Sequence, residues 1–154
     1  MEKLKTFLIK AKKETYANAN VEKTSASRVE SNDYEYSEAG MTYHDTFFGG
    51  VKFIGEEVVY DGESDTPIWG MNYYGVTLDE ELSEEAMDKA LRPALMKVGE
   101  DDILPVRGPS RFEGDGYEYT FNVEGNLDRF DGVEEIHKGG KLIYQLRCTG
   151  GRIE

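Results

Sequence analysis

The chain has 154 residues, of which 38% are hydrophobic, 12% aromatic and 32% charged, with a formal net charge of −13. A compact chain of this size hides roughly 70% of its unfolded surface, so it supports one domain with a core that needs no covalent staples. The strong negative charge repels phosphate backbones and anionic bilayers, which argues against nucleic acid and membranes as partners.

Residues 2–16 read as an amphipathic helix. Leu4, Phe7, Leu8 and Ala11 recur at i, i+3, i+4 and i+7, the spacing of one helical stripe. Lys3, Lys5, Lys10, Lys12 and Lys13 are assigned to its solvent faces. Residues 17–32 are small and polar and read as a loop. Strands are expected at 33–37, 41–48, 52–60 and 67–75, punctuated by Gly40, Gly49-Gly50 and Asp61-Gly62, residues suited to turns. A second helix is expected at 83–98, with Ser83 as N-cap, Glu84 and Glu85 in the first turn and Gly99 past the end. Pro93 lies inside this pattern and predicts a kink or break. After a loop at 99–110, strands are expected at 116–123, 126–130, 133–138 and 141–148.

The two halves resemble each other. Tyr34-Glu35-Tyr36 matches Tyr117-Glu118-Tyr119, and Phe53-Ile54-Gly55 matches Phe130-Asp131-Gly132. After a one-residue gap, Glu56-Glu57-Val58 matches Glu134-Glu135-Ile136, and 68–75 lies over 143–150. The expected architecture is an α+β, antiparallel β-rich single domain over 1–154. In this reading a helix-plus-four-strand unit is duplicated, about 1–80 and 81–154, with two helices packed on two antiparallel sheets or one strongly curved sheet. Trp69, Met71 and Tyr73 share one strand face and correspond to Tyr144, Leu146 and Cys148, so that face is assigned to the core and Tyr74 to the surface or a pocket rim.

Several residues are candidates for chemistry. If Val58 and Ile136 face the core, Glu56 and Glu134 point inward, and an inward carboxylate must find donors or change its pKa. Glu56 is therefore a candidate general acid or base, with His44 as its helper. His44 and Asp45 are strand neighbours and point apart, so they form no local dyad. Tyr36, Tyr60 and Tyr119 with Glu56 are expected to line a ligand cavity between sheet and helices, and Tyr74 and Glu134 are further ligand candidates. Arg107 and Arg111 of RGPSR could fork around an anion, although pairing with nearby surface acids is the simpler expectation. No G-x-S-x-G, GxxxxGK[ST] or GxGxxG is present, and residues 126–135 miss the twelve-residue calcium register. Cys148 is the only cysteine, so no disulfide closes within the chain and no thiolate cluster forms. It reads as a small core residue. No metal or cofactor is expected. No secretion signal or 20-residue apolar span is visible, so a cytoplasmic location is expected.

The motifs YHDTFFGG, FIGEEVVY, WGMNYYG, RGPSRF and a final YxLxxxGG resemble a bacterial family of unknown function. Its members occur alone or C-terminal to XRE-type helix-turn-helix regulators, and the likeness runs from the first helix to Gly151. The resemblance implies a sensing or effector-binding module and carries over no catalytic residues. The chain shows no helix-turn-helix segment, so DNA binding does not follow. The leading expectation is a small-molecule-binding or regulatory module. An enzyme using Glu56, and a structural or interaction protein pairing as a homodimer through sheet edges, are the alternatives.

Overall fold

The computed structural model describes all 154 residues. Helix α1 (Glu2–Lys13) precedes strands β1 (Asn32–Glu38), β2 (Met41–Gly49), β3 (Lys52–Asp61) and β4 (Thr66–Thr77). Helix α2 (Glu84–Leu95) precedes β5 (Arg111–Gly114), β6 (Tyr117–Asn126), β7 (Arg129–Lys138) and β8 (Lys141–Arg152). The strands form one antiparallel sheet in the order β1-β2-β3-β4-β8-β7-β6-β5. Each run of four is a meander, and their last strands pair at the centre. The class is α+β, as the pattern of elements predicts.

Local chemistry explains most of these elements. The turn Ala39-Gly40 joins β1 to β2 and Asp115-Gly116 joins β5 to β6, with positive φ at both residues of each. That is the two-residue turn whose twist matches a hairpin. The Ser83 hydroxyl accepts from the Ala86 amide and caps α2. Pro93 lies inside α2 without breaking it. The helix ends two residues later, so the missing amide costs a single hydrogen bond in the last turn.

Both helices pack on one sheet face, α1 against β1 and β2 and α2 against β5 and β6. Beneath them lies one apolar core that includes Phe7, Leu8, Leu91, Tyr43, Trp69, Tyr119, Ile136 and Leu146. Trp69 is fully buried and stacks on Phe130 at 5.9 Å between ring centroids. Met71 and Tyr73 are buried beside it, and Tyr74 is 50% exposed on the opposite face.

The ladders of the two halves correspond. Tyr43 faces Val59, Glu57 faces Met71 and Gly55 faces Tyr73 in the first half. Tyr119 faces Ile136, Glu134 faces Leu146 and Gly132 faces Cys148 in the second. A register shift falls between Val59 and Tyr60, and another at the corresponding Ile136 and His137. Glu57 therefore corresponds to Glu134 with no gap. The one-residue gap placed before Glu56 in the sequence comparison is a slip, and a slip of one flips every side chain to the other face. Val59 and Glu57 face the core, and Glu56 faces away. Tyr34 and Tyr36 lie on β1, whereas Tyr117 and Tyr119 lie on β6, the counterpart of β2.

The segment 126–130, expected as a strand of its own, straddles the turn after β6; its last two residues and the expected strand 133–138 belong to the single strand β7, with Gly132 in its interior. Gly132 is there for room. A Cβ on it would meet the Phe121 ring at 2.7 Å and Cys148 Sγ at 3.0 Å. Gly55 stands at the corresponding place under Tyr73. Gly132→Ala is expected to destabilise the protein by about 1–3 kcal/mol through overpacking, measured as a drop in the urea midpoint. An unchanged midpoint would show that Phe121 does not lie over this glycine.

The sheet ends on β1 and β5. Both edges carry charged side chains, Glu35 and Glu38 on one and Arg111 and Glu113 on the other, which disfavours strand addition. No helix is long and apolar enough to cross a membrane.

Candidate functional site

Two polar regions stand out, one on each face of the sheet. The first lies under the helices. Glu134 is fully buried and accepts from Arg107 Nε at 3.0 Å and Nη2 at 2.7 Å. It also accepts from the Tyr119 hydroxyl at 2.6 Å and the Tyr144 hydroxyl at 3.0 Å. Tyr119 in turn accepts from the Gly108 amide at 2.9 Å, which ties the 107–110 loop to the sheet. On the other half Glu57, only 2% exposed, pairs with Lys12 Nζ. The helical pattern puts Lys12 on a solvent face of α1, but it turns inward to meet this carboxylate.

Between the two pairs sits Asp45, buried and directly opposite Glu57 in the ladder. It accepts from the Tyr73 hydroxyl at 2.6 Å. Burial, followed by the negative charge of Glu57, pushes its carboxyl up to about 7, against the opposing pull of Tyr73, Lys12 and Arg107. Burial, followed by the neighbouring carboxylates, raises the hydroxyls of Tyr43, Tyr73, Tyr119 and Tyr144 well above the usual phenol value. They act as donors here and not as bases. Burial also pushes the Cys148 thiol up to about 12, so it is no nucleophile.

This interior is too full for a ligand. The cavity beside Asp45, Tyr73 and α2 is about 60 Å³, and that beside Lys12 and Glu57 about 20 Å³. A water needs roughly 10–15 Å³ and a small-molecule pocket about 300–1,000 Å³. The ligand cavity expected between sheet and helices is therefore absent. Tyr36 packs on Phe7, with ring centroids 5.9 Å apart, and Tyr119 is committed to Glu134. Tyr60 follows the register shift and borders neither cavity.

The second region is the opposite, helix-free face. There the strands form the floor of an open trough of about 910 Å³. Ladder register resolves the floor into two adjacent rows that cross six strands. One row runs Phe48, Ile54, Tyr74, Arg147, Val133 and Asn122; the next runs Thr46, Glu56, Asn72, Thr149, Asp131 and Glu124. All twelve residues line the trough. Arg28, from the segment preceding β1, joins them. Its guanidinium donates to Glu56 at 2.6 Å and lies 5.6 Å from the centroid of the Phe48 ring.

The segment carrying Arg28 is anchored through Asp33, whose fully buried carboxylate accepts from the Ser27, Ser31 and Thr46 hydroxyls and the Ser27 amide. Burial alone would raise the Asp33 carboxyl. The hydrogen bonds from Ser27, Ser31 and Thr46 outweigh it and hold the group well below the usual carboxylate range. His44 Nε2 lies 2.9 Å from the same carboxylate.

The predicted site residues thus divide. Glu56 is half-exposed and paired with Arg28, not inward, and His44 is engaged with Asp33; the structure does not join them as an acid–base pair. Arg107 and Arg111 do not fork around an anion. Arg107 is consumed by Glu134, a buried partner rather than a surface acid, while Arg111 pairs on the surface with Glu113 and Glu118. Glu134 is inward as expected, and Tyr74 and Glu56 both line the trough. Sequence reasoning misses Lys12, Glu57, Asp45 and the row partners Ile54, Arg147 and Asp131. No three His, Cys, Asp or Glu side chains are placed to hold a metal ion.

The sheet thus carries helices on one face and an open trough of mixed polar and aromatic side chains on the other. The chain belongs to the family described as Domain of unknown function (DUF5680), whose model matches residues 45–153. That match begins within β2 and leaves α1 and β1 outside it, a shorter span than the sequence motifs imply. Neither a curated protein nor a solved structure matches the chain.

Proposed function

We propose that this protein is a small-molecule-binding module whose ligand seat is the open trough, and that the helix-covered face serves only to hold the sheet. The observation that carries this reading is the exposed apolar run in the trough. Ile54 is 56% exposed and Tyr74 is 50% exposed, and they are direct cross-strand partners with Phe48 beside them. Contiguous apolar side chains on an open strand face mark a contact surface more often than drift among solvated positions. The trough's volume is in the range of ligand pockets. The motifs' resemblance to a regulator-linked family supports a module that senses an effector, and we place that role in the cytoplasm as part of this proposal.

The experiment is a saturation-transfer NMR screen of a metabolite mixture against the wild type and Ile54→Asp. Ile54 is exposed, so the variant should fold, with a thermal midpoint within a few degrees of wild type. Compounds that bind the wild type are expected to lose their signal with I54D. Unchanged signals, or no binders at all, would refute the trough as the seat.

A further inference from the structure

The two rows of the trough are related by the correspondence of the two halves, and there the halves part company. Toward the helices, corresponding positions keep their character: Tyr43 and Tyr119, Gly55 and Gly132, Glu57 and Glu134, Val59 and Ile136. On the open face Phe48, Ile54 and Tyr74 correspond instead to Glu124, Asp131 and Thr149. The end over β2–β4 therefore carries Phe48, Ile54 and Tyr74 beside a closed Arg28–Glu56 ion pair, and the end over β6–β8 carries charged side chains outside any ion pair.

The charged end is not arranged as a relaxed surface would be. Asp131 and Glu124 are direct cross-strand partners, a like-charge placement that is unfavourable when nothing intervenes. Arg147 stands on the neighbouring strand β8, directly opposite Val133 and so diagonal to Asp131. At that diagonal spacing, roughly 7–8 Å between Cα atoms, the pair is left open: neither Arg147 nor Asp131 enters any of the chain's ion pairs, and Glu124 enters none either. On its other side Arg147 is the direct partner of Tyr74. The order across the floor is thus apolar surface, then an unpaired guanidinium, then two unpaired carboxylates.

Building on the binding role proposed above, we propose that the trough takes a zwitterion, a free apolar or aromatic α-amino acid. Its carboxylate meets the Arg147 guanidinium, its ammonium enters between Asp131 and Glu124, and its side chain lies along Tyr74 and Ile54. A guanidinium suits a carboxylate bidentately, and an ammonium between the two acids relieves their repulsion. Adjacent strands are about 4.8 Å apart, so groups on β8 and β7 lie within reach of the two charges on one α-carbon. Arg28 and Glu56 already neutralise each other and form the wall.

The test uses L-phenylalanine, phenethylamine and 3-phenylpropionate as probes, with amide NMR shifts and calorimetry on the wild type, Arg147→Met and Asp131→Asn. L-Phenylalanine is expected to bind most tightly and to shift amides on β3, β4, β7 and β8. R147M should weaken L-phenylalanine and 3-phenylpropionate by about tenfold or more while sparing phenethylamine; D131N should weaken L-phenylalanine and phenethylamine and spare 3-phenylpropionate. Both replaced residues are exposed, so loss of fold is not the expected cause of either result, and circular dichroism checks it. Equal affinity for all three probes, or loss of selectivity in neither variant, would overturn the amino-acid assignment. If none of the probes binds while screened compounds still lose their signal with I54D, the assignment falls and the binding role stands.

Discussion

Glu134→Ala is expected to lower the stability of the protein by about 3–5 kcal/mol. The carboxylate is fully buried and satisfies both nitrogens of an Arg107 fork and two tyrosine hydroxyls. Removing it leaves a guanidinium in the interior with no counter-ion, which is the costly way to break a buried pair. A small domain has only about 5–15 kcal/mol to lose, so the variant should unfold at a much lower urea concentration. Trp69, the single tryptophan, reports the transition by fluorescence. Replacing both partners, Arg107→Met with Glu134→Leu, removes the stranded charge and should be less damaging than either single change. A single variant that loses less than about 1 kcal/mol would show that the pair is hydrated rather than buried.

The second large effect is a pH dependence set by Asp45. Three buried carboxylates, Asp45, Glu57 and Glu134, face two buried cations, Lys12 and Arg107. The cluster therefore carries one acid too many, and Asp45, opposite Glu57 and bonded only by Tyr73, is the carboxyl that burial and the Glu57 charge push up. Its carboxyl is pushed up to about 7 from an unfolded value of 3.8. A group whose folded pKa is raised contributes stability that is complete below the unfolded pKa and is lost as the pH climbs through the folded one. Wild-type stability should accordingly fall between about pH 4 and pH 8. Asp45→Asn, which fixes the uncharged form and still accepts from Tyr73, should flatten that slope. A tenfold change in proton affinity is worth about 1.4 kcal/mol, so at pH 8 the variant should be the more stable protein by on the order of 2–4 kcal/mol. Asp33 has the opposite sign, and its contribution is lost only in acid below its unfolded value, outside this window. Parallel curves for the two proteins between pH 5 and 8 would mean that Asp45 is ionised throughout.

Much of the fold is legible in the sequence. Glycine-bearing turns close five of the six hairpins, Ser83 marks the start of α2, and alternation in WGMNYYG assigns Trp69, Met71 and Tyr73 to the core. The misreadings have physical causes. Gly132 looks like a strand break because glycine usually is one, and only the Phe121 ring across the ladder shows why it sits inside β7. Four-residue β5 carries too short a pattern to separate from the loop before it. The gap placed before Glu56 aligns two acidic pairs neatly but ignores the identity already present without it, Phe53, Gly55 and Glu57 over Phe130, Gly132 and Glu134. That single residue turns the wrong glutamate inward.

Lys12 and Arg107 are unreadable as core cations because their partners lie far along the chain, 45 and 27 residues away. The trough does have a signal in the sequence. With Glu57 and Val59 inward, Ile54 must face out, and Tyr74 already does. An isoleucine and a tyrosine side by side on an open face ask for a partner. Arg147 and Asp131 cannot join them until the pairing of β4 with β8 and β8 with β7 is known.

Selective labelling of isoleucine methyl groups separates the two faces of the sheet in one spectrum. Ile54 lies in the trough, whereas Ile136 and Ile143 are buried under the helices. On adding a compound that binds the wild type, the Ile54 methyl should move while Ile136 and Ile143 hold their positions. Movement of Ile136 and Ile143 with Ile54 unchanged would place the ligand between sheet and helices and contradict a seat on the open face.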